Sequence, residues 1–438
     1  MALNPQHIID DIVALTTNKH ICIAYSGGVD SHVLLHILAT SQHPALQSLS
    51  AIHIDHGLNE KSKQWTQHCA AIANDLKLDL SCITVEVNAI KEVGMEAAAR
   101  QARYQAFQNT LSENDVLLTA QHQHDQAETL LLQLLRGAGP KGLAAMAKQS
   151  ALGSTQLIRP LLAVSQADIL AYAKQHQLQW IEDPSNNETQ WSRNYLRHTV
   201  WPSIEQRWPS ATTTLSRSAE HCAEASELMA ELAQQDLDSL GVQAQSPNIA
   251  ISPLLTLSPA RLRNALRHII ECKQLPLPST ACLQKLIDEV CLAKQDSSPV
   301  LTWMGVEVRR YQDNLYITPP LETHDKTQRI ACQSLEAISL PTKQILHWQA
   351  SEKGLSKSFI LSGIELGFRQ GGEKIQPQDH AHHKTLKHLF QEWQIPPWQR
   401  DRIPLIFKDD ELIAVVGYCI SDSVVNGKEK ERYIPVVT

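Results

Sequence analysis

The 438-residue sequence contains no two cysteines at C-x-x-C spacing, which excludes the common zinc-ribbon and dithiol frameworks. Its nine cysteines are odd in number and scattered from Cys22 to Cys419, so no disulfide framework can be read from them. No apolar run approaches the roughly 18 residues that a membrane-spanning helix needs. The opening residues, Met1 to Asp11, have neither the basic start nor the apolar stretch of a secretory signal, and a cytoplasmic protein is expected. An excess of positive charge is also missing: Lys and Arg total 39 against 46 Asp and Glu, a net charge of −7. Any nucleic-acid partner must therefore be met by local basic clusters. With 43% hydrophobic and 19% charged residues, the composition is that of an ordinary globular protein. At about 150 residues per domain, the length suggests roughly three domains.

Strand and helix signals alternate through the first 125 residues. Ile21–Tyr25, Leu49–Asp55, Asp79–Val87 and Asp115–Ala120 read as strands. Val33–Leu38, Trp65–Leu76, Glu96–Leu111 and Ala127–Leu135 have helical spacing. Strands separated by helices predict an α/β fold, a parallel sheet with helices on both faces. Ligands of such sheets bind beyond the carboxyl ends of the strands. After residue 215 the pattern becomes helical, over Ser216–Leu240 and Arg261–Glu271, with a hairpin at Val306–Tyr311 and Leu315–Ile317. A polar stretch near Thr323–Gln328 leads to a β-rich tail with a second hairpin, Ile403–Phe407 and Leu412–Ile420. The expected domains are 1–215, a mainly helical middle domain over 216–325, and a small α+β C-terminal domain over 345–438.

The sharpest feature is Ser26-Gly27-Gly28-Val29-Asp30-Ser31, set between the first strand and the first periodic helix. Paired glycines permit close backbone approach, and the helix start adds unpaired N–H groups, together an anion site. Asp30 beside phosphate would be repulsive unless a cation bridges them, and Mg²⁺ is commonly held by one or two carboxylates plus phosphate oxygens. Neither G-x-x-x-x-G-K-[ST] nor G-x-G-x-x-G is present in the loop, so it is neither a Walker-type nor a dinucleotide site. The competing reading is a glycine turn whose Asp and Ser cap the helix.

S-G-G-V-D-S after a strand resembles the loop of the PP-loop (N-type) ATP pyrophosphatases, which cleave ATP between the α and β phosphates. Further motifs follow in order: His53-Ile54-Asp55-His56-Gly57-Leu58, Glu96 to Tyr104, His124-Asp125-Gln126-Ala127-Glu128-Thr129, Arg159-Pro160-Leu161-Leu162, Glu182-Asp183-Pro184-Ser185-Asn186 and Arg193-Asn194-Tyr195-Leu196-Arg197. The tail adds Arg369-Gln370-Gly371-Gly372-Glu373-Lys374, Lys384-Thr385-Leu386-Lys387 and Ile395-Pro396-Pro397-Trp398. The ordered set resembles the tRNA(Ile)-lysidine synthetase family, with one departure at Asn59, where many relatives have arginine. The resemblance implies ATP and Mg²⁺ as cofactors, L-lysine and a CAU-anticodon tRNA(Ile) as substrates, and no obligate protein partner or membrane. It implies nucleotide contacts from Ser26, Gly27, Gly28, Val29, Asp30, Ser31 and His53, with Asp30 on the metal. Asp30 and Asp125 are the expected catalytic residues, and Glu128 is a weaker candidate. Asp125 and Glu128 could otherwise be helix-start charges that favour the dipole.

The basic clusters meet the charge objection. Arg193, Arg197 and Arg207 face one acid, Glu205, and Arg261, Arg263 and Arg267 recur on one helix. Lys384, Lys387, Arg400 and Arg402 lie near Trp393 and Trp398. Such residues can contact phosphates and stack on unpaired bases. Arg193, Asn194, Arg197, Arg261, Arg267, Arg369, Lys384, Lys387, Arg400 and Arg402 are the expected tRNA contacts. Two alternatives stand. His122-Gln123-His124-Asp125 has the H-x-H-x-D spacing of a metallohydrolase, although Gln126 is an inferior final ligand. A tRNA thiolase would share the ATP loop, but the missing C-x-x-C counts against one kind. The histidines at 380, 382 and 383 fit an exposed polar loop better than a metal site.

Overall fold

The apolar run His20–Ala24 forms the buried strand β1, and the chain before it makes helix α1, Pro5–Leu15. Helix α2, Val29–Ala39, follows the glycine loop and is apolar on nearly every side; Val33, Leu34, Leu35, Ile37 and Leu38 are all buried. A helix apolar all round must be covered all round, and it packs into the same core as Ile8, Ile9 and Ile12 of α1. Then come β2 (Leu49–Asp55), α3 (Ser62–Asp75), β3 (Asp79–Thr84), α4 (Met95–Thr110), β4 (Asp115–Leu118) and α5 (Gln123–Leu135). A hairpin, β5 (Gln149–Leu152) and β6 (Thr155–Ile158), precedes α6 (Gln166–Gln175). The computed structural model describes residues 3–16, 19–46, 48–57, 61–88, 94–184, 188–294, 297–378, 380, 382–425 and 431–438. Leu58, Asn59, Ser185 and Asn186, named in the sequence motifs, lie outside the described residues.

The sheet runs β3-β2-β1-β4-β6-β5 and is parallel except for β5, which pairs antiparallel with β6. That antiparallel edge was not anticipated; Gly153, at a φ of +60°, makes its turn. Strand order reverses between β1 and β4, which pair from His20↔Asp115 to Ile23↔Leu118. Open parallel sheets bind ligands outside such a reversal. The loops leaving β1 and β4 are Ser26–Gly28 and Thr119–His122, so the reversal brings the glycine loop beside the His122–Asp125 turn.

The chain divides into two units, Met1–Leu232 and Ala233–Thr438. Within the second, helix α8 (Pro259–Cys272; α7 is Ala211–Ser239) and a π-turn, Leu286–Cys291, pack on a sheet. That sheet is β7 (Ile249–Ala250), β10 (Asn314–Thr318), β9 (Val306–Tyr311) and β8 (Val300–Trp303), in that spatial order. The C-terminal part holds a five-stranded sheet, a three-stranded sheet and a two-stranded ribbon. The expected strand Leu412–Ile420 is two strands, Glu411–Val415 and Cys419–Ile420, paired antiparallel. Gly417, at a φ of +81°, turns the chain back on itself there. Among the described residues no helix is long and apolar enough to cross a membrane.

Candidate active site

Gly27 has a φ of +84°, and a Cβ there would lie 2.5 Å from Ile181 Cδ1 and 2.9 Å from Cys69 Sγ. Only glycine fits that position. Ile181 N–H also donates to Gly27 O at 2.9 Å, so the segment after α6 grips the outside of the loop. Within the loop, Ser26 N–H donates to Ser31 Oγ at 3.2 Å, and the Ser31 hydroxyl donates to Gly28 O at 3.0 Å. The two serine hydroxyls lie 3.1 Å apart. His53, buried on β2, donates from Nδ1 to Tyr25 O at 2.9 Å, bracing the loop's entry from the sheet. Val29 opens α2, and Gly28 is its N-cap with no side-chain capping bond. The helix-cap reading of Asp30 and the serines is therefore not what the loop adopts.

Asp30 Oδ1 is buried and has no hydrogen-bond partner. Buried carboxylate oxygens are ordinarily paired, so this one is suited to hold a cation. Its nearest cation-capable neighbour is His122 Nε2 at 3.7 Å, and the same Nε2 lies 3.5 Å from Asp125 Oδ2. His122 Nδ1 accepts from His124 N–H, so the neutral ring carries its proton on Nε2, aimed between two carboxylates. Burial pushes the Asp30 carboxyl above its ordinary range; His122 draws it down and Asp125 pushes it further up. Among the described residues no three or more His, Cys, Asp or Glu side chains converge as a metal cage. The metallohydrolase reading thus lacks its ligand set within the described residues, whereas a single carboxylate with a free buried oxygen suits Mg²⁺ held partly by phosphate.

Asp125 combines two roles. Its Oδ2 accepts from His122 N–H at 3.1 Å, closing a capping box at the start of α5, and its Oδ1 accepts from Arg197 Nη2 at 3.2 Å. Glu128, one turn further on, is fully buried. Arg193 Nε donates to its Oε2 at 2.9 Å, Arg197 Nε to its Oε1 at 2.6 Å, and His124 Nε2 lies 3.2 Å from Oε1. Burial pushes this carboxyl up, but the bonds from His124 and Arg197 and the arginine charges outweigh it and hold it down to about 2. Arg193 lies on a helical turn, Ser192–Tyr195, and Arg197 on the π-turn, Leu196–Val200, into which it runs. Sequence spacing alone did not reveal this pairing, because the partners are 65 and 69 positions apart. Asn194 Nδ2 donates to Glu188 O at 3.1 Å.

The other expected tRNA contacts lie in the second unit. Arg261 pairs with the fully buried Asp236, and Arg267 is half-buried beside Arg263. Arg369 lies 3.5 Å from Asp401, and Lys384 lies 2.9 Å from Glu392. Arg400 donates to Ile395 O and Tyr311 Oη, and Arg402 to Glu322 O. Lys387 is exposed. Within the first unit the structure brings the glycine loop, His53, Asp125, Arg193 and Arg197 together.

Three family models match the chain in order: a PP-loop domain over residues 1–204, a TilS substrate binding domain over 249–316, and a TilS substrate C-terminal domain over 364–436. The tRNA(Ile)-lysidine synthase of Coxiella burnetii is 44% identical over 422 residues, covering 95% of this chain and 93% of that protein. The synthase of Legionella pneumophila (strain Lens) is 40% identical over 413 residues, covering 94% of each. This chain belongs to the tRNA(Ile)-lysidine synthase family. That of Serratia proteamaculans is 41% identical over 414 residues, covering 93% of each. Membership makes the chain a tRNA-modifying ligase whose N-terminal unit carries an ATP-using PP-loop domain. The N-type ATP pyrophosphatase fold and the family read from the sequence are thereby established.

Proposed function

We propose that this protein ligates L-lysine to C2 of the wobble cytidine in a CAU-anticodon tRNA(Ile), at the expense of ATP, in the cytoplasm. The observation that carries this reading is Asp30's unpartnered buried oxygen at the strand-order reversal, beside a second carboxylate, Asp125. In the first step the C2 oxygen of cytidine attacks the α-phosphorus, the α–β bridge breaks, and diphosphate leaves. In the second, the ε-amine of lysine attacks C2, the C2–O bond breaks, and AMP leaves with the oxygen. Adenylation turns a poor leaving oxygen into a good one.

Asp30 would hold Mg²⁺, which when bound neutralises charge on the phosphates. Ser26, Gly27, Gly28, Val29 and Ser31 shape the loop around the phosphates, and His53 fixes its entry. Lysine must lose a proton to attack, and a nearby carboxylate can receive it. Glu128, held to about 2 and enclosed by Arg193, Arg197 and His124, is a weak base whose oxygens are already taken. Asp125, on the same turn, is the better proton acceptor on position. Arg193 and Arg197 hold both carboxylates and act on the reaction through them. Arg267, Arg369, Lys384, Lys387 and Arg402 are the cationic side chains proposed to meet tRNA phosphates. The catalytic domain would span 1–215, with tRNA-binding domains over 216–325 and 345–438. With ATP labelled at the α-phosphate, AMP should appear one-for-one with lysine joined to tRNA, and only when tRNA and lysine are both present. AMP release without lysine incorporation would overturn the second step.

A further inference from the structure

The two faces of the β9–β10 hairpin have opposite characters. Val306, Val308 and Arg310 of β9 and Leu315 and Ile317 of β10 are buried. Of these, the four apolar residues join the core beneath α8 and the π-turn. Side chains alternate along a strand, so Glu307, Arg309 and Tyr311 share the other face with Tyr316, which lies directly opposite Arg309. That face is polar and aromatic, yet Glu307 is only 8% exposed. Arg309 holds it with two bonds, Nε to Oε1 at 2.6 Å and Nη2 to Oε2 at 2.9 Å.

The Pro397–Arg400 turn of the C-terminal module lies against this face. Trp398 meets Tyr316 edge-on with centroids 5.3 Å apart and an interplanar angle of 81°, and Tyr311 at 6.3 Å and 86°. The Arg309 guanidinium sits 5.3 Å from the same indole centroid. Arg400 Nη2 donates to Tyr311 Oη at 3.2 Å, while its Nε donates to Ile395 O at 2.8 Å. Directly after this turn, Asp401 and Arg402 grip the segment that connects the modules. His324 Nε2 donates to Asp401 O at 2.9 Å, and Arg402 Nη1 donates to Glu322 O at 2.6 Å. One short corner thus holds both the middle module's sheet and the connecting segment.

We propose that Trp398 and Arg400 are positioning residues: they fix the C-terminal module on the β9–β10 sheet at a set span, and thereby set tRNA affinity without touching tRNA. This rests on the tRNA-ligase reading above. It replaces the sequence expectation that Arg400 contacts phosphate and Trp398 offers a surface for bases, because the sheet already occupies those groups. Edge-on aromatic contacts and a cation over an indole each add a modest, specific stabilisation, so losing one should loosen the joint without unfolding either module.

The test is steady-state lysine incorporation by the full-length protein. Trp398→Ala should raise the KM for tRNA about tenfold and leave kcat and the KM values for ATP and lysine within about twofold. Trp398→Phe should recover most of the loss. Trp398→Ala combined with Tyr316→Ala should be no worse than the more severe single variant, since both break one joint. Multiplying losses would mean that Trp398 meets tRNA on its own, and an unchanged KM would mean that the joint does not set affinity; either overturns the proposal. Should Trp398→Ala fail to fold, Tyr311→Phe removes one hydroxyl and should raise the KM for tRNA about threefold, non-additively with Arg400→Gln. Small-angle scattering tests the joint without activity. A larger radius of gyration for folded Trp398→Ala supports it, and an unchanged one contradicts it. Absence of lysine incorporation by the wild-type protein would instead overturn the functional reading.

Discussion

Asp30 is held at a cost. Its carboxyl is partly buried, one oxygen has no partner, and the pressure on it is toward protonation. Such strain belongs where a ligand relieves it. Asp30→Asn should therefore raise the melting temperature of the ligand-free protein while lowering turnover by about a thousandfold or more. Thermal unfolding and turnover assays on the same preparation check both, and a destabilised variant would contradict the account. His56 titrates in the opposite direction. Burial and the nearby Arg103 guanidinium hold its imidazole down to about 4, against an ordinary 6.5. Between those values the unfolded chain binds a proton that the folded chain refuses, so stability should fall as pH drops from about 6.5 to 4. His56→Asn should flatten that part of the denaturation profile. Asp30 stood out as a candidate because its loop carries an unusual carboxylate among glycines and serines. Glu128 stood out only weakly, since a helix-start acid resembles any dipole partner until the distant arginines are seen to enclose it.

Charge at the scale of an element is easily misread from periodicity. Arg261, Arg263 and Arg267 look like a solvated basic face of α8, yet Arg261 closes on Asp236, which is completely buried near the end of α7. Arg261→Ala should destabilise the protein by about 2–4 kcal/mol, because it leaves a buried carboxylate without its partner. Urea denaturation checks this, and a loss under about 0.5 kcal/mol, typical of an exposed arginine, would contradict it. Arg310 behaves similarly. Half of an apparently basic Arg309-Arg310 pair is buried, and it donates to the carbonyls of Val290, Cys291, Ala293 and Gln312. It satisfies orphan acceptors at the end of the π-turn, where a cation also meets the negative end of the helix dipole. Strand positions were legible because apolar runs between turn signals are local. The break at Gly417 and the β5–β6 edge depend on single left-handed glycines and were not.

Taken whole, the chain reconciles a net charge of −7 with a tRNA substrate by keeping much of its positive charge in internal pairs. Arg193, Arg197, Arg261 and Arg400 all have partners within the protein. Those pairs organise the carboxylate site and the joint between modules, leaving residues such as Lys387 free to face solvent. The family and the fold were readable because the motifs lie in order along the chain, most of them at a strand end or a helix start. The roles of the cationic residues depended on partners tens of residues away. The central claim is that lysine is joined to a base of the tRNA. It is tested most directly by supplying labelled lysine, ATP and Mg²⁺ with unmodified CAU-anticodon tRNA(Ile), then treating the product with mild alkali. Label that survives alkali, and that depends on this protein, is the predicted result. Label that alkali removes, or no label despite folded protein, would contradict it.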